Sequence, residues 1–200
     1  VGLGGAAFPL FVKLNPPPAK KIDSLILNGA ECEPFLTCDH RLMLEKPKEI
    51  VLGAQLMAKV LGVKDIIIGI EENKLDAIES MNSAIFLLKV QGLGFRVRAL
   101  KTRYPQGGEK QLISTLLNKE VPSGGLPLDI GVVVNNVQTV FAAYEAVYLK
   151  KPLYERVITV SGSFPNIAKN ILIRIGAPIK DILDYCGLSP KTGVYKIVMG

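Results

Sequence analysis

The chain has 200 residues, 48% hydrophobic and 21% charged, enough for one large domain, or one domain with a small appendage, and unlike a disordered segment. Its net charge of +6 is scattered apart from Lys20-Lys21 and Lys150-Lys151 and lacks interleaved aromatics, which argues against a nucleic-acid surface and leaves an anionic membrane or an acidic electron-transfer partner open. No apolar run approaches the roughly 18 residues of a membrane span, no basic-then-apolar leader is visible, and three cysteines without paired spacing fit a reducing compartment better than a disulfide framework.

In chain order, the first stretch is Gly2-Leu3-Gly4-Gly5-Ala6-Ala7-Phe8-Pro9. Glycines let a large ligand approach the backbone amides closely, and the absence of serine and other polar residues is unlike a linker. The chain starts without an initiator methionine and stops straight after an apolar run at Met199-Gly200, so it is read as a piece of a longer protein. Asn15-Pro16-Pro17-Pro18 is an extended connector, and Ser24–Leu27 has the length and composition of a buried strand. The strand breaks into Asn28-Gly29 and presents Glu31 and Glu33, at a strand's carboxyl end where ligands of open α/β sheets collect.

The spacing of Ile50, Ala54, Met57 and Leu61 predicts a helix over Glu45–Leu61, stopped by Gly62. Asp65–Ile70 reads as a buried strand. Glu71-Glu72-Asn73 is expected to cap a second helix with an apolar stripe of Leu75, Ile78, Ile85 and Leu88. Phe95–Leu100 alternates as a strand with Arg96 and Arg98 on one solvated face. Tyr104–Lys110 is a second glycine turn ahead of a helix carrying Leu112, Ile113 and Leu116, which puts backbone N–H groups at a helix N-terminus, a place to hold an anion. After a Pro/Gly loop at 120–129, Ile130–Val134 reads as a strand ending in Asn135-Asn136, followed by a helix from Val137 to Leu149. Strands alternating with helices predict a parallel sheet with right-handed crossovers. Past Lys150-Lys151-Pro152 the period changes: strands are expected at Glu155–Ser161, Ile171–Ile175 and Tyr195–Met199, with a short helix at Ile179–Cys186. His40 reads as a hydrogen bonder at a helix entry, and Cys38 and Cys186 as small buried fillers.

Four loops, Gly2–Phe8, Asn28–Pro34, Tyr104–Glu109 and Asn135–Thr139, thus adjoin strands and carry glycine, amide or carboxylate groups. A flavin needs such a set: amides for its phosphate, a flat floor for its ring, and carboxylates for the ribose hydroxyls of an incoming dinucleotide. The first loop with Lys13, Asn28-Gly29-Ala30-Glu31-Cys32-Glu33-Pro34 and Asn135-Asn136-Val137-Gln138-Thr139 resemble the flavin and NADH motifs of the NADH-binding flavoprotein subunit of respiratory complex I. Glu31–Pro34 through Asp39–Glu45, with Tyr104–Gln111 and Pro122–Pro127, resembles more closely the C subunit of the Rnf complex, the membrane-bound ion-translocating ferredoxin:NAD oxidoreductase.

The resemblance implies an α/β fold, a Rossmann-like parallel sheet with flanking helices over residues 1–152, and a small soluble-ligand-binding β-grasp domain over 153–200. It implies that Gly4, Gly5, Lys13, Asn28, Cys32, Gly107, Gly108, Asn135, Asn136 and Thr139 surround FMN. Phe8, Glu31, Glu33 and Glu109 would face NAD(H), with Glu31 the expected discriminator against a 2′-phosphate. Leu3, Ala30 and Gly108 depart from the complex I pattern, which has arginine, aspartate and glutamate there. The family's two [4Fe-4S] clusters would lie in the full-length protein outside this stretch. No catalytic side chain and no metal ligand is expected within it. The implied function is that of a flavoprotein module moving electrons between NAD(H) and iron–sulfur clusters through FMN, an NADH:acceptor oxidoreductase component. Its partners would be the other subunits of the complex and ferredoxin or iron–sulfur domains, at the cytoplasmic side of the membrane, held peripherally. Two alternatives share the motifs or the fold: a cobalamin reductase of the propanediol-utilisation type, against which the run Thr37–Glu45 speaks, and a flavin-free docking module.

Overall fold

The most apolar runs of the chain line up side by side as one parallel sheet. The computed structural model describes residues 2–3, 7–162, 168–187 and 196–199. β1 (Ser24–Gly29), β2 (Asp65–Glu71), β3 (Gly94–Leu100) and β4 (Val132–Asn136) lie in the order β3-β2-β1-β4, all parallel. Leu25, Ile26, Leu27, Ile66, Ile68 and Ile70 are fully buried, as a sheet covered on both faces requires. The chain steps outward from β1 to β2 to β3 and then returns to the other side of β1 with β4. Strand order therefore reverses between β1 and β4, and the crevice at their carboxyl ends is the topological switch point of the sheet. In register, Asn28 pairs with Gly69 and with Asn136, so the loops after these strands leave from one level edge.

One face of the sheet carries α2 (Cys38–Glu45), α3 (Pro47–Leu61), α4 (Leu75–Leu87) and α6 (Val137–Tyr148) over a core of Leu25, Leu27, Met43, Ile50, Met57, Ile66, Ile68, Met81 and Val140. The other face carries α5 (Glu109–Leu117) over Ile26, Ile67, Leu112, Ile113, Val132 and Val134. Two glycines set these layer spacings. A Cβ at Gly69 would stand 3.0–3.3 Å from Leu100, Leu112 and Leu116, so its absence lets α5 lie close to the sheet. A Cβ at Gly53 would stand 2.3 Å from the Val140 carbonyl oxygen, so α3 and α6 touch backbone to backbone.

Several boundaries differ from expectation. The helix expected over Glu45–Leu61 is two helices, because Pro47 lacks an N–H and disfavours helical geometry at the residue before it; Lys46 has φ −131° and ψ 40°. Glu71 is the last residue of β2, and Lys74 is the residue at the N-cap of α4. Leu75 is 69% exposed, and the buried face of α4 is Ala77, Met81 and Ala84. A 3₁₀ turn at Pro127–Ile130 and Gly131 at φ +74° delay the fourth strand by two residues, since a non-glycine residue would strain that left-handed position. A short helix α1 (Leu10–Lys13), not foreseen, begins straight after Pro9.

Beyond residue 152 the chain forms an antiparallel pair, β5 (Glu155–Val160) and β6 (Lys169–Arg174), and a helix α7 (Ile179–Tyr185). Lys196–Met199 belong to no strand, contrary to expectation, and Tyr195 lies outside the described residues. The described part of this segment is thus a hairpin and a helix, short of the expected β-grasp. The hairpin leans on the loop before α2. Thr159 Oγ1 accepts from the Thr37 amide at 3.0 Å, Asn170 Nδ2 donates to Thr37 Oγ1 at 3.0 Å, and Ser161 Oγ donates to the Phe35 carbonyl at 3.1 Å. Lys151 joins the two parts by donating to Glu145 and reaching Glu155 at 2.7 Å, and these two carboxylates hold its ammonium well above the usual lysine range.

Candidate functional site at the sheet's switch point

The loop after β1 is held by its own polar side chains. Asn28 Nδ2 donates to the Gly107 carbonyl at 2.8 Å, while Asn28 Oδ1 accepts from the Ala30 amide at 3.2 Å. The Gly107 amide in turn donates to Cys32 Sγ at 3.2 Å. One asparagine and one cysteine therefore knit the Asn28–Pro34 loop to the Gly107-Gly108 turn, 79 and 75 positions away. A Cβ on Gly107 would lie 3.2 Å from Cys32 Sγ, tighter than most such contacts, with the Ala30 Cβ at an ordinary 3.5 Å.

Lys13, on α1, reaches the middle of β4. Its Nζ donates to the Val134 carbonyl at 2.8 Å and to Glu109 Oε1 at 3.1 Å, with about a quarter of the side chain exposed. Gly108 is the residue at the N-cap of α5, and no side chain caps that helix among the described residues. The crevice thus gathers an ammonium paired with Glu109, an asparagine amide held by Gly107, and the start of an uncapped helix, the last being the donor group open to an anion. Glu109 is exposed at the start of α5, and Glu33 and Phe8 are exposed as well, Phe8 at 51%. Gly4 and Gly5 lie outside the described residues.

The remaining expected residues face elsewhere. Asn135 points to the α3 side of the sheet, its Nδ2 lying 3.7 Å from Met57 Sδ. Asn136 caps α6 by accepting from the Gln138 amide at 2.8 Å and donates to Asp39 Oδ2 at 2.6 Å; Thr139 is buried in the first turn of α6. Glu31, at φ +48°, directs both carboxylate oxygens to the start of α2, accepting from the amides of Asp39 (2.7 Å) and His40 (3.0 Å). It serves there as a remote helix cap, a role its sequence position did not announce.

Sequence reasoning passed over the centre of this polar network. Asp39 is 7% exposed and accepts from Gln138 Nε2 at 2.7 Å as well as from Asn136. Burial pushes its carboxyl up from the ordinary 3.8, against the lowering effect of those two amides. Burial, and next the charge of Asp39, push Glu31 up as well. Burial and the same charge push the Cys38 thiol up to about 11, so it stays a thiol, consistent with a buried filler. Glu31, Cys38 and Asp39 offer atoms within 4.8 Å of one another, yet all four carboxylate oxygens already accept hydrogen bonds, and Lys74 and Arg156 act on Asp39 as nearby cations. That environment disfavours a metal ion. His40 accords with a helix-entry hydrogen bonder, with its ring 2.7 Å from Asp76, and Arg96 pairs with Asp65 on the exposed face of β3.

A parallel sheet whose switch point is lined by glycine turns, amides and one lysine is the arrangement of a nucleotide- or flavin-binding domain. Over residues 1–145 the chain matches the family described as the Nuo51 FMN-binding domain, and it belongs to that family. Among curated proteins it is 54% identical, over all of its length, to the C subunit of the proton-translocating ferredoxin:NAD(+) oxidoreductase complex of Clostridium ljungdahlii, of which it covers 42%. It is 48% identical to the C subunit of the Na(+)-translocating complex of Acetobacterium woodii, covering 44% of that protein. To the C subunit of the ion-translocating oxidoreductase complex of Rhodobacter capsulatus it is 43% identical over 94% of this chain and 36% of the relative. The resemblance read from the motifs agrees with these relatives, and the chain spans less than half of their length. Among solved structures, a chain of the NAD+-reducing [NiFe]-hydrogenase in the air-oxidized state superposes with a TM-score of 0.76, covering 92% of this chain and 36% of that one at 23% identity. The H2-reduced state gives 0.73 over 82% of this chain and 33% of that one at 21% identity, and both likenesses speak to the fold alone.

Proposed function

We propose that this chain is the flavin module of the C subunit of an ion-translocating ferredoxin:NAD oxidoreductase, exchanging hydride with NAD(H) through FMN and passing electrons singly to iron–sulfur clusters. Those clusters, two [4Fe-4S] groups, belong to the remainder of the full-length protein. The observation that carries the reading is the convergence of Lys13, Asn28 and the Gly107-Gly108 turn on the crevice between β1 and β4 in a chain of the FMN-binding family. The residues fit the group: an ammonium and an uncapped helix start suit a phosphate, and the loop of Asn28–Cys32 offers polar atoms along a flat edge. FMN, when bound, supplies the ability to take two electrons together and release them one at a time. The protein's own part is to hold and orient. Asn28 and Cys32 fix the two loops against each other, and Lys13 sets a positive charge at the strand ends. Gly4, Gly5, Asn135, Asn136 and Thr139 complete the proposed surround, the last three by shaping the start of α6 beside the crevice. On the open side, Phe8, Glu33 and Glu109 receive the dinucleotide. Because both oxygens of Glu31 are engaged by α2, exclusion of a 2′-phosphate is assigned to Glu33 and Glu109.

Residues 1–152 form the flavin domain in this reading, and 153–200 belong to a β-grasp domain completed by chain beyond the described hairpin. Among the described residues no helix is long and apolar enough to cross a membrane. By its likeness to the C subunits, the protein is proposed to bind the cytoplasmic side of the membrane through the other subunits of its complex, with a ferredoxin or an iron–sulfur domain as electron partner. The test is titration of FMN into the flavin-depleted full-length protein, read by quenching of flavin fluorescence, followed by bleaching of the flavin absorbance with NADH. Stoichiometric quenching and NADH-driven bleaching are expected. A folded protein that leaves free FMN fluorescence unchanged overturns the proposal.

A further inference from the structure

We propose that Lys74, anchored by Glu71, is a positioning residue for the flavin loop: its ammonium holds the Ala30 carbonyl and so fixes the Ala30–Glu31 peptide, between Asn28 and Cys32, in the loop after β1. The proposal rests on the FMN reading of the site. Lys74 and Glu71 are 6% and 2% exposed, and their charged ends meet at 2.8 Å. Burying two charges is costly, and an apolar pair of similar volume fills such a space as well or better, so packing does not account for the pair. Lys74 Nζ also donates to the neighbouring Asn73 Oδ1 at 3.1 Å, but its distinguishing contact is the one to the Ala30 carbonyl at 3.1 Å, across 44 positions of sequence.

That carbonyl belongs to a loop in need of a hold. Ala30 is fully buried, and Glu31 beside it has φ +48°, a left-handed conformation that costs a non-glycine residue free energy and persists only where its surroundings enforce it. The Ala30 amide is held by Asn28 and its carbonyl by Lys74, so residue 30 is pinned on both sides. Two residues on, Cys32 Sγ takes the Gly107 amide, so the orientation set at Ala30 passes to the contact between the two loops. Glu71 is dedicated to this task. Its Oε1 is buried without a hydrogen-bond partner among the described residues, so Lys74 is the donor seen on its carboxylate.

Three variants of the full-length protein, depleted of flavin and titrated with FMN, separate positioning from simple support. Lys74→Met leaves Glu71 buried and uncompensated, and is expected to lower the unfolding midpoint by about 10 °C. Lys74→Met with Glu71→Leu removes both charges; most of that midpoint is expected to return while the FMN dissociation constant remains raised about tenfold, with faster amide exchange at Glu31–Glu33 in the apoprotein. Glu71→Asp keeps both charges but draws Lys74 away from Ala30; it too should weaken FMN binding, by a few fold, at a midpoint well above that of Lys74→Met. Wild-type FMN affinity and wild-type loop exchange in a folded double variant, or in Glu71→Asp should the double variant not fold, would overturn the positioning role and leave the FMN reading standing. A wild-type protein that takes up no FMN would overturn both.

Discussion

Replacing Asn28 by Asp changes one NH₂ to an oxygen at constant shape, and the structure says what that costs. The Ala30 amide keeps its acceptor, but the atom that donated to the Gly107 carbonyl at 2.8 Å becomes a carboxylate oxygen facing it. The lost hydrogen bond is worth about 1 kcal/mol. Two partial charges of about half a unit each, one on the carboxylate oxygen and one on the carbonyl oxygen at that separation, add about 1.5 kcal/mol of repulsion at an effective dielectric of about 20. The stronger bond from the Ala30 amide to a charged acceptor returns part of this, leaving a loss of about 2 kcal/mol at pH 7. For a chain of this size that is about 4–8 °C in unfolding midpoint. The sign with pH follows from linkage. The repulsion raises the new carboxyl's folded pKa above its unfolded value of about 3.9, so the penalty is complete above the folded pKa and fades as pH falls toward 3.9, where the neutral acid can donate to Gly107. Circular dichroism melts of variant and wild type at pH 7 and near pH 4.5 measure the gap between them at each pH. A gap that is absent at pH 7, or equally wide at both, would refute the contact as described. FMN affinity should fall together with the midpoint at pH 7, since the same bond joins the two loops of the crevice.

The remaining predictions concern packing, protonation and nucleotide choice. Gly53→Ala gains about 1 kcal/mol in helix propensity but drives a Cβ to 2.3 Å from the Val140 carbonyl, so α3 and α6 must part and the net change should be a loss of about 1–3 kcal/mol, read by denaturant unfolding; a stabilised variant would contradict the packing. Glu31 and Asp39 both have folded pKa values raised above the ordinary 4.5 and 3.8 by burial. Their charged forms therefore disfavour the fold, and their contribution should make stability fall as pH rises from about 4 through the folded values; Asp39→Asn should abolish its part of that slope, whatever it does to absolute stability. For the dinucleotide, Glu33→Gln should raise the NADPH-to-NADH ratio of kcat/KM about tenfold in the full-length protein with an artificial acceptor, with Glu109→Gln doing less because Lys13 already offsets its charge. Glu31→Gln should leave the ratio unchanged and lower the midpoint instead, and the opposite pattern would return the discriminating role to Glu31.

The sequence by itself determined the elements whose physics is local. Runs such as Asp65–Ile70 are apolar on both faces and could only be buried strands, and their alternation with helical spacing required a parallel sheet with crossovers. The glycine turns, Asn28 and the Asn135-Asn136 pair were likewise legible as loop chemistry at strand ends, and their order along the chain carried the family resemblance, which alone pointed to Lys13 and Cys32. Even the break at Pro47 was written locally, in a residue that cannot continue a helix from Lys46. Only the tertiary structure decided what each polar group faces. No local pattern reports that β4 returns beside β1, because strand order is set by which crossovers bury the most apolar surface over the whole chain. The carboxylate of Glu31 turned from ligand to helix cap because α2 starts where its side chain ends. Asp39 became the buried centre of a network because amides 97 and 99 positions later arrive on its two oxygens. Glu71, read from the sequence only as part of a helix cap, and Lys74, which no local pattern singled out, are buried because the loop after the neighbouring strand closes over them, and desolvation makes the partner of a charge a property of the fold rather than of the segment that carries it.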